Sequence, residues 1–274
     1  MILLVSSSKD QAGKNIANHI LQQYPFNKTN QTFQENPVYQ AEINNKTVTC
    51  ITLKEEAVNA QNLPENFPNA ELVVFISRHS SQSGTPTLSV HTPGNLATAE
   101  LGGLPRTLSV SPANAMCDAL KALMRLKQEK RLNYEVSYEC THHGPSLSVP
   151  TMFVELGSSP KQWSDSAAAD VVGQAAVEAV ADFGKSSGAA VLGVGGTHYN
   201  QKFTKLALDG EMVFGHMIPK YAVPLVDAEI LRQCVEKTLE KVERAVLDWK
   251  GIKSEDKPKL LKMLGEIGLP YKKV

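Results

Sequence analysis

The chain has 274 residues, 42% of them hydrophobic and 20% charged, with 28 Lys plus Arg against 28 Asp plus Glu. That length suits one large domain or two small ones and can bury a sizeable core, while collagen-like and largely disordered classes are excluded. Zero net charge excludes a generally basic nucleic-acid coat, and 6% aromatics argue against a stacking platform for single strands.

Ile2 to Val5 reads as a short strand, and Ser8 with Gln11 fits a capping box opening a helix to about Gln23. Residues 25–45 and 60–70 are polar and read as loops. Thr47 to Leu53 alternates and is β-branched, and Leu72 to Ser77 is a continuous apolar run expected of a strand covered on both faces. Residues 80–107 carry many Gly, Pro, Ser and Thr and little helix signal, a long irregular stretch of the kind that often holds function. Ser111-Pro112 should cap a helix with Met116, Ala119, Leu120, Leu123 and Leu126 on one stripe. Glu135 to Cys140, Thr151 to Leu156 and Ala189 to Gly193 read as strands, and Asp165 to Phe183 as an Ala-rich helix. Asp227 can cap a long helix to about Lys250, because Val235, Leu239, Val242, Val246 and Trp249 recur at steps of three and four. A last helix, Pro258 to Ile267, stops at Gly268. The alternation predicts an α/β fold with a mixed, largely parallel sheet flanked by helices.

The first residues turn polar too soon for a signal peptide, no run of 18 apolar residues exists, and the four dispersed cysteines read as free thiols; a cytoplasmic protein is expected. Cys140 reads as a buried hydrophobe rather than a nucleophile. The lysines of 250–274 form either a solvated face or a modest phosphate-contacting patch.

Histidine placement carries the chemistry. His19 lies mid-helix in polar surroundings, whereas His79, His91, His142, His143, His198 and His216 fall at strand ends or in loops. Ligands bind at strand ends in open α/β sheets, and imidazole is both the commonest zinc ligand and a base near neutral pH. The Gly144-Pro145 after His142-His143 suggests a turn on which both rings face one pocket. Glu155, an acid within an apolar strand, could be a metal ligand, a partner fixing a His tautomer, a base for water, or a buried carboxylate paired with an Arg. Gly195-Gly196 could offer backbone N–H groups to an oxyanion. Neither GxSxG, GxGxxG opening a helix, nor GxxxxGK[ST] is present, which argues against a serine hydrolase and against Rossmann or P-loop binding.

Cys140-Thr141-His142-His143-Gly144-Pro145, Pro150 to Ser158 (PTMFVELGS), Gly195-Gly196-Thr197-His198-Tyr199 and Gly215-His216-Met217-Ile218-Pro219-Lys220-Tyr221 together resemble the archaeal and plant type of D-aminoacyl-tRNA deacylase. Leu3 to Ser7, Ser77-Arg78-His79-Ser80 and His91 to Asn95 are similar to the same family. The resemblance covers essentially the whole chain and implies one deacylase domain over 1–274 with a phosphorylase/hydrolase-like fold. It implies hydrolysis of the ester between a D-amino acid and the terminal ribose of tRNA, with zinc as cofactor. A monomer acting on D-aminoacyl-tRNA, with no membrane or DNA partner, is expected. His142, His143, Glu155 and His198 are then expected as the catalytic and metal-holding residues. Arg78, His79, His91, Gly195, Gly196, Tyr199, His216 and Lys220 are expected around the substrate. Two other readings stand beside this one: a zinc carboxypeptidase-like or amidohydrolase enzyme acting on a small metabolite, and a non-catalytic metal-binding module.

Overall fold

The computed structural model describes residues 1–186 and 188–274. In chain order the elements are β1 (Ile2–Ser7), α1 (Gln11–Gln23), β2 (Asn27–Phe33), β3 (Asn36–Ile43), β4 (Lys46–Leu53), α2 (Leu63–Asn66), β5 (Leu72–Arg78), β6 (Thr87–His91), α3 (Ala113–Glu129) and β7 (Glu135–Tyr138). Then follow β8 (Thr151–Gly157), α4 (Pro160–Trp163), α5 (Ser166–Asp182), β9 (Ala190–Val194), α6 (Gln201–Leu208), β10 (Phe214–Ile218), α7 (Ala228–Glu236), β11 (Val242–Leu247), α8 (Lys257–Glu266) and β12 (Tyr271–Lys273).

Among the described residues the strands form two sheets. An eight-stranded sheet runs β2-β3-β4-β1-β5-β8-β6-β7, and a four-stranded sheet runs β10-β9-β11-β12. Strands β4, β1, β5 and β8 are mutually parallel, as are all neighbours in the smaller sheet, while β6 runs antiparallel to β8. The fold is thus mixed α/β with a largely parallel sheet flanked by helices. No helix among the described residues is long and apolar enough to cross a membrane.

Alternation along the central strands sorts their side chains into two layers. Ile2, Leu4, Leu72, Val74, Ile76, Met152 and Val154 join the core under α1, α3 and α5, while Leu3, Val5, Val73, Phe75 and Phe153 join a second core on the opposite face. The same parity sends Ser77, Ser89, Ser137 and Glu155 away from the helices. The larger sheet meets the smaller one through the segment after β7: Cys140 N–H donates to the His198 carbonyl and Thr141 N–H to the Met217 carbonyl, both at 2.9 Å.

Four expectations need correction. Residues 25–45 are not a loop but the β2–β3 hairpin, turned at Gln34 and Glu35 with φ of 48° and 63°. This edge strand buries no residue, so it carries no alternating apolar signal. The helix expected from Asp227 to Lys250 stops at Glu236, and Val242, Val246 and Leu247 belong to β11, buried between β9 and β12. A three-four spacing cannot by itself separate a helix stripe from a helix followed by a buried strand. Helix α1 is capped by Asp10, whose Oδ1 accepts the Gly13 N–H at 2.9 Å, and not by Ser8. For α3 the cap comes from far away in sequence: the Glu240 carboxylate accepts the N–H groups of Ala113 and Asn114 at 2.8 and 2.9 Å, in place of Ser111. All four cysteines are free and buried, as expected.

Removing the Glu240 carboxylate leaves two helix N–H groups without an acceptor. Glu240→Ala should cost about 1–2 kcal/mol, lowering the thermal midpoint by a few degrees. An unchanged melt would show that water replaces the cap without loss.

Candidate active site

The face of the large sheet turned away from the helices carries a concentration of titratable groups. On β8, Glu155 follows Phe153 at the two-residue period, with Ser77 of β5 as its register partner. Continuing the same parity, His79 follows β5, His91 ends β6 and Glu139 follows β7. His142 and His143 arrive on the turn after Glu139, where His143 takes φ 44°. That left-handed conformation, uncommon outside glycine, lets two consecutive rings share one cavity instead of opposing each other. His198 comes from the smaller sheet, following β9.

The side chains interlock. Ser77 Oγ donates to Glu155 Oε1 at 2.6 Å, and Glu155 Oε2 lies 3.5 Å from His91 Nε2 and 3.8 Å from His79 Nδ1. Glu139 Oε2 accepts from His198 Nε2 at 2.9 Å and lies 3.7 Å from His142 Nε2, while Oε1 lies 3.3 Å from His79 Nδ1. The His142 Nδ1–H donates to the Cys140 carbonyl at 2.8 Å and the His143 Nδ1–H to the Gly144 carbonyl at 2.6 Å. A carbonyl only accepts, so both rings carry the proton on Nδ1 and leave the Nε2 lone pair free. The Tyr199 hydroxyl sits 2.7 Å from His79 Nε2, and the Tyr221 hydroxyl 3.1 Å from His198 Nδ1. Ser77, His79, Glu139, His142, His143, Glu155, His198 and Tyr199 line a cavity of about 510 Å³ together with Asp10, Glu56, Val58, Arg78 and Phe153.

The two acids are buried, Glu139 at 0% and Glu155 at 4% exposure, and among the described residues no Arg or Lys pairs with either. Burial, reinforced by the neighbouring Glu139 charge, pushes the Glu155 carboxyl up to about 7. Burial acts on Glu139 in the same sense. The His198 hydrogen bond and the surrounding His79, His142 and His91 outweigh it and hold Glu139 well below the usual carboxylate range. Burial also keeps the rings of His91 and His143 neutral, down to about 4 each, and drives His142 well below its ordinary range.

Three overlapping sets bring donor atoms within 4.8 Å of one another: His91-His142-His143, Glu139-His142-His198 and His79-Glu139-Glu155. Both ring nitrogens of His91 and the Oε1 of Glu139 are buried without a hydrogen-bond partner among the described residues. Neutral imidazoles oriented by backbone carbonyls, beside unpartnered carboxylate oxygens, are the donor chemistry that suits a zinc ion.

The sequence profile of the D-aminoacyl-tRNA deacylase family matches residues 66–272. The chain is 33% identical to the D-aminoacyl-tRNA deacylase of Pyrococcus horikoshii over 99% of both chains, and 33% identical to that of Methanocaldococcus jannaschii over the same shares. The chain belongs to the D-aminoacyl-tRNA deacylase family. It also matches a crystal structure of a conserved protein of unknown function with a TM-score of 0.88 at 31% identity, over 100% of this chain and 95% of that one.

Within this family member the structure gathers His79, His142, His143, Glu155, His198 and Tyr199 at one cavity, with Arg78 on its wall and His91 buried behind. Arg78 is held by Glu56, Nη2 donating to both carboxylate oxygens at 3.1 Å. Four residues expected around the substrate, Gly195, Gly196, His216 and Lys220, do not line this cavity. Gly195 and Gly196 cannot serve an oxyanion through their N–H groups, because these already donate to the carbonyls of Ile218 and Gly251. Gly195 (φ 106°) is needed because a Cβ there would stand 2.9 Å from the Asp248 carbonyl oxygen. His216 is wholly buried and does not reach the cavity: its Nε2–H donates to the Lys237 carbonyl, and its Nδ1 accepts from Thr141 Oγ1 at 3.1 Å. Lys220 is exposed on a turn whose N–H donates to Gly196. Glu139 was not singled out from sequence. The signal for it was its parity with Ser137 on β7, three residues before His142.

Burial holds His216 neutral, down to about 4 from an ordinary 6.5. The unfolded chain therefore takes up a proton at this residue at higher pH than the folded one. Its contribution is intact above pH 6.5, falls away as pH drops, and reaches a loss of about 3 kcal/mol once pH is below about 4. Urea titrations between pH 7 and 4.5 should show stability falling more steeply in wild type than in His216→Gln; parallel curves would mean the ring protonates without unfolding.

Proposed function

We propose that this protein hydrolyses the ester of D-aminoacyl-tRNA, releasing free D-amino acid and tRNA by activating a water within the His/Glu cluster. Membership of the deacylase family supports the reaction. The observation that carries the chemistry is the pair of buried acids driven in opposite directions, Glu139 ionised and Glu155 near neutrality.

A carboxyl with its proton affinity near 7 matches the task of taking a proton from water and returning it to the departing ribose oxygen. Ser77 holds one Glu155 oxygen and leaves the other directed at His79 and His91. Glu139 stays charged and orients His198, whose other nitrogen is held by Tyr221. His79, bracketed by Glu139 and Tyr199, is placed to hydrogen-bond a developing oxyanion or the leaving group. His91, His142 and His143 would hold zinc, or Glu139 and His142 with His198 if that ring gave up its hydrogen bond to Glu139. A bound zinc ion supplies a water acidified toward neutrality and polarises the ester carbonyl.

The expected activity is release of D-tyrosine from D-Tyr-tRNA, with L-Tyr-tRNA left largely intact. Glu155→Gln should lower kcat by about 10²–10⁴ while substrate binding persists, whereas full activity would make Glu155 a structural acid. Metal analysis of the purified protein should find zinc, lost together with activity on prolonged chelation and diminished in His142→Ala. Deacylation that survives complete metal removal would leave the His–carboxylate groups as the sole activators of water.

A further inference from the structure

The cluster has a second cavity on its far side, of about 410 Å³. It shares Leu101, His142, His143 and His198 with the first, so these residues form a wall between two chambers. An aminoacyl ester requires such an arrangement: its carbonyl carbon joins an amino acid on one side and the ribose of a terminal adenosine on the other. Each half needs its own space next to the hydrolytic groups.

The two chambers differ in chemistry. The first is lined by Asp10, Glu56, Glu139 and Glu155, with Arg78 already engaged by Glu56. That setting suits a group bearing an α-ammonium. The second is lined by Leu96, Ala97, Tyr221, Ala222 and Leu225, with Glu100 as its one acid. Its rim exposes large apolar side chains, Leu101 at 62% and Tyr221 and Leu225 at 55% each. An exposed aromatic ring within an apolar rim is a surface on which a nucleobase stacks.

Cations lie beside this rim. Lys220 precedes Tyr221, and Lys259 of α8 reaches the rim by donating from Nζ to the Pro224 carbonyl at 3.0 Å. Lys257, two residues before Lys259 on α8, and Lys273 lie over the Trp249 ring, 4.6 and 3.8 Å from its centroid. These lysines mark a course for phosphates leading away from the second chamber.

We propose that the second chamber seats the terminal adenosine of the substrate, its base against Tyr221 and its 5′ phosphates directed toward Lys259, while the first chamber takes the amino acid. The proposal rests on the deacylase reading and adds to it the orientation of the ester across the His142–His143–His198 wall.

The test compares D-Tyr-tRNA and D-Ala-tRNA as substrates. Tyr221→Ala should raise KM about tenfold for both esters alike. Tyr221→Phe, which keeps the ring and loses the hydroxyl to His198, should restore KM even if kcat falls. Val58→Phe, on the first chamber, should instead lower kcat/KM for D-Tyr-tRNA roughly tenfold relative to D-Ala-tRNA. Lys259→Glu should raise KM and reduce the salt dependence of binding by about one phosphate contact. A Tyr221→Ala protein with unchanged KM, or with an altered preference between the two esters, overturns the assignment, as does a Tyr221→Phe protein whose KM rises as far as that of the Ala variant. Each of those results presupposes active wild type. Failure of wild type to cleave D-Tyr-tRNA overturns the deacylase reading itself, and the orientation with it.

Discussion

Glu139 and Glu155 lie together in the interior with no Arg or Lys among the described residues as counter-ion, and the arrangement of the surrounding residues follows from how that burial is accommodated. A buried carboxylate is costly unless it is paired, hydrogen-bonded or neutralised. Here the two acids take different routes. Glu139 stays charged because imidazoles crowd around it, His198 within hydrogen-bond distance and His79 and His142 just beyond. Glu155, facing the charge that Glu139 keeps, takes the opposite route and rises toward neutrality, with Ser77 and two histidines around it. The histidines therefore have two duties, to surround one acid with polar groups and to present lone pairs to the cavity. Backbone carbonyls at Cys140 and Gly144 settle the second duty by holding the protons of His142 and His143 on Nδ1.

Architecture makes this possible through parity. A strand that alternates between a helical layer and an open face delivers every second residue to that face, so Ser77, His79, His91, Glu139 and Glu155 need only the right phase on four neighbouring strands. Because β6 and β7 run against β8, the group spreads over the sheet face rather than along one carboxyl edge. The smaller sheet closes the cavity from the side, bringing His198, Tyr199 and Tyr221 against residues that the larger sheet has already placed.

Much of this was visible in the chain itself. The central strands announced themselves as apolar runs, α5 by its Ala-rich composition, and the gathering of histidines by their repeated position at strand ends. What stayed hidden was either non-local or ambiguous in period. The edge strand β2 is polar on both faces, and β11 carries apolar residues at intervals that also fit a helix. The acid that organises the site, Glu139, looks in sequence like any polar residue at a strand end, and only its neighbours in space reveal that it is buried. Gly195-Gly196 illustrates the reverse: a pattern that promises free N–H groups, in a fold that has given both to Ile218 and Gly251. His216 sits at a strand end like the other five expected histidines, yet it faces away from the cavity and holds Thr141, just before His142.

The junction between the two sheets has a consequence for when the protein becomes competent during its own synthesis. His79, His91, Glu139 and Glu155 are all present once roughly the first half of the chain has condensed, but Glu139 then lacks His198 and His79 lacks Tyr199, 120 residues further on. Until β9 and β10 dock against the segment after β7, Glu139 lacks the one imidazole that hydrogen-bonds it, and the cavity lacks the wall that His198 and Tyr199 supply. A partly made chain of this kind is a scaffold without a reaction centre. Emergence of activity would report completion of the whole fold, and no nascent half-protein would attack the aminoacyl-tRNAs crowded around the ribosome.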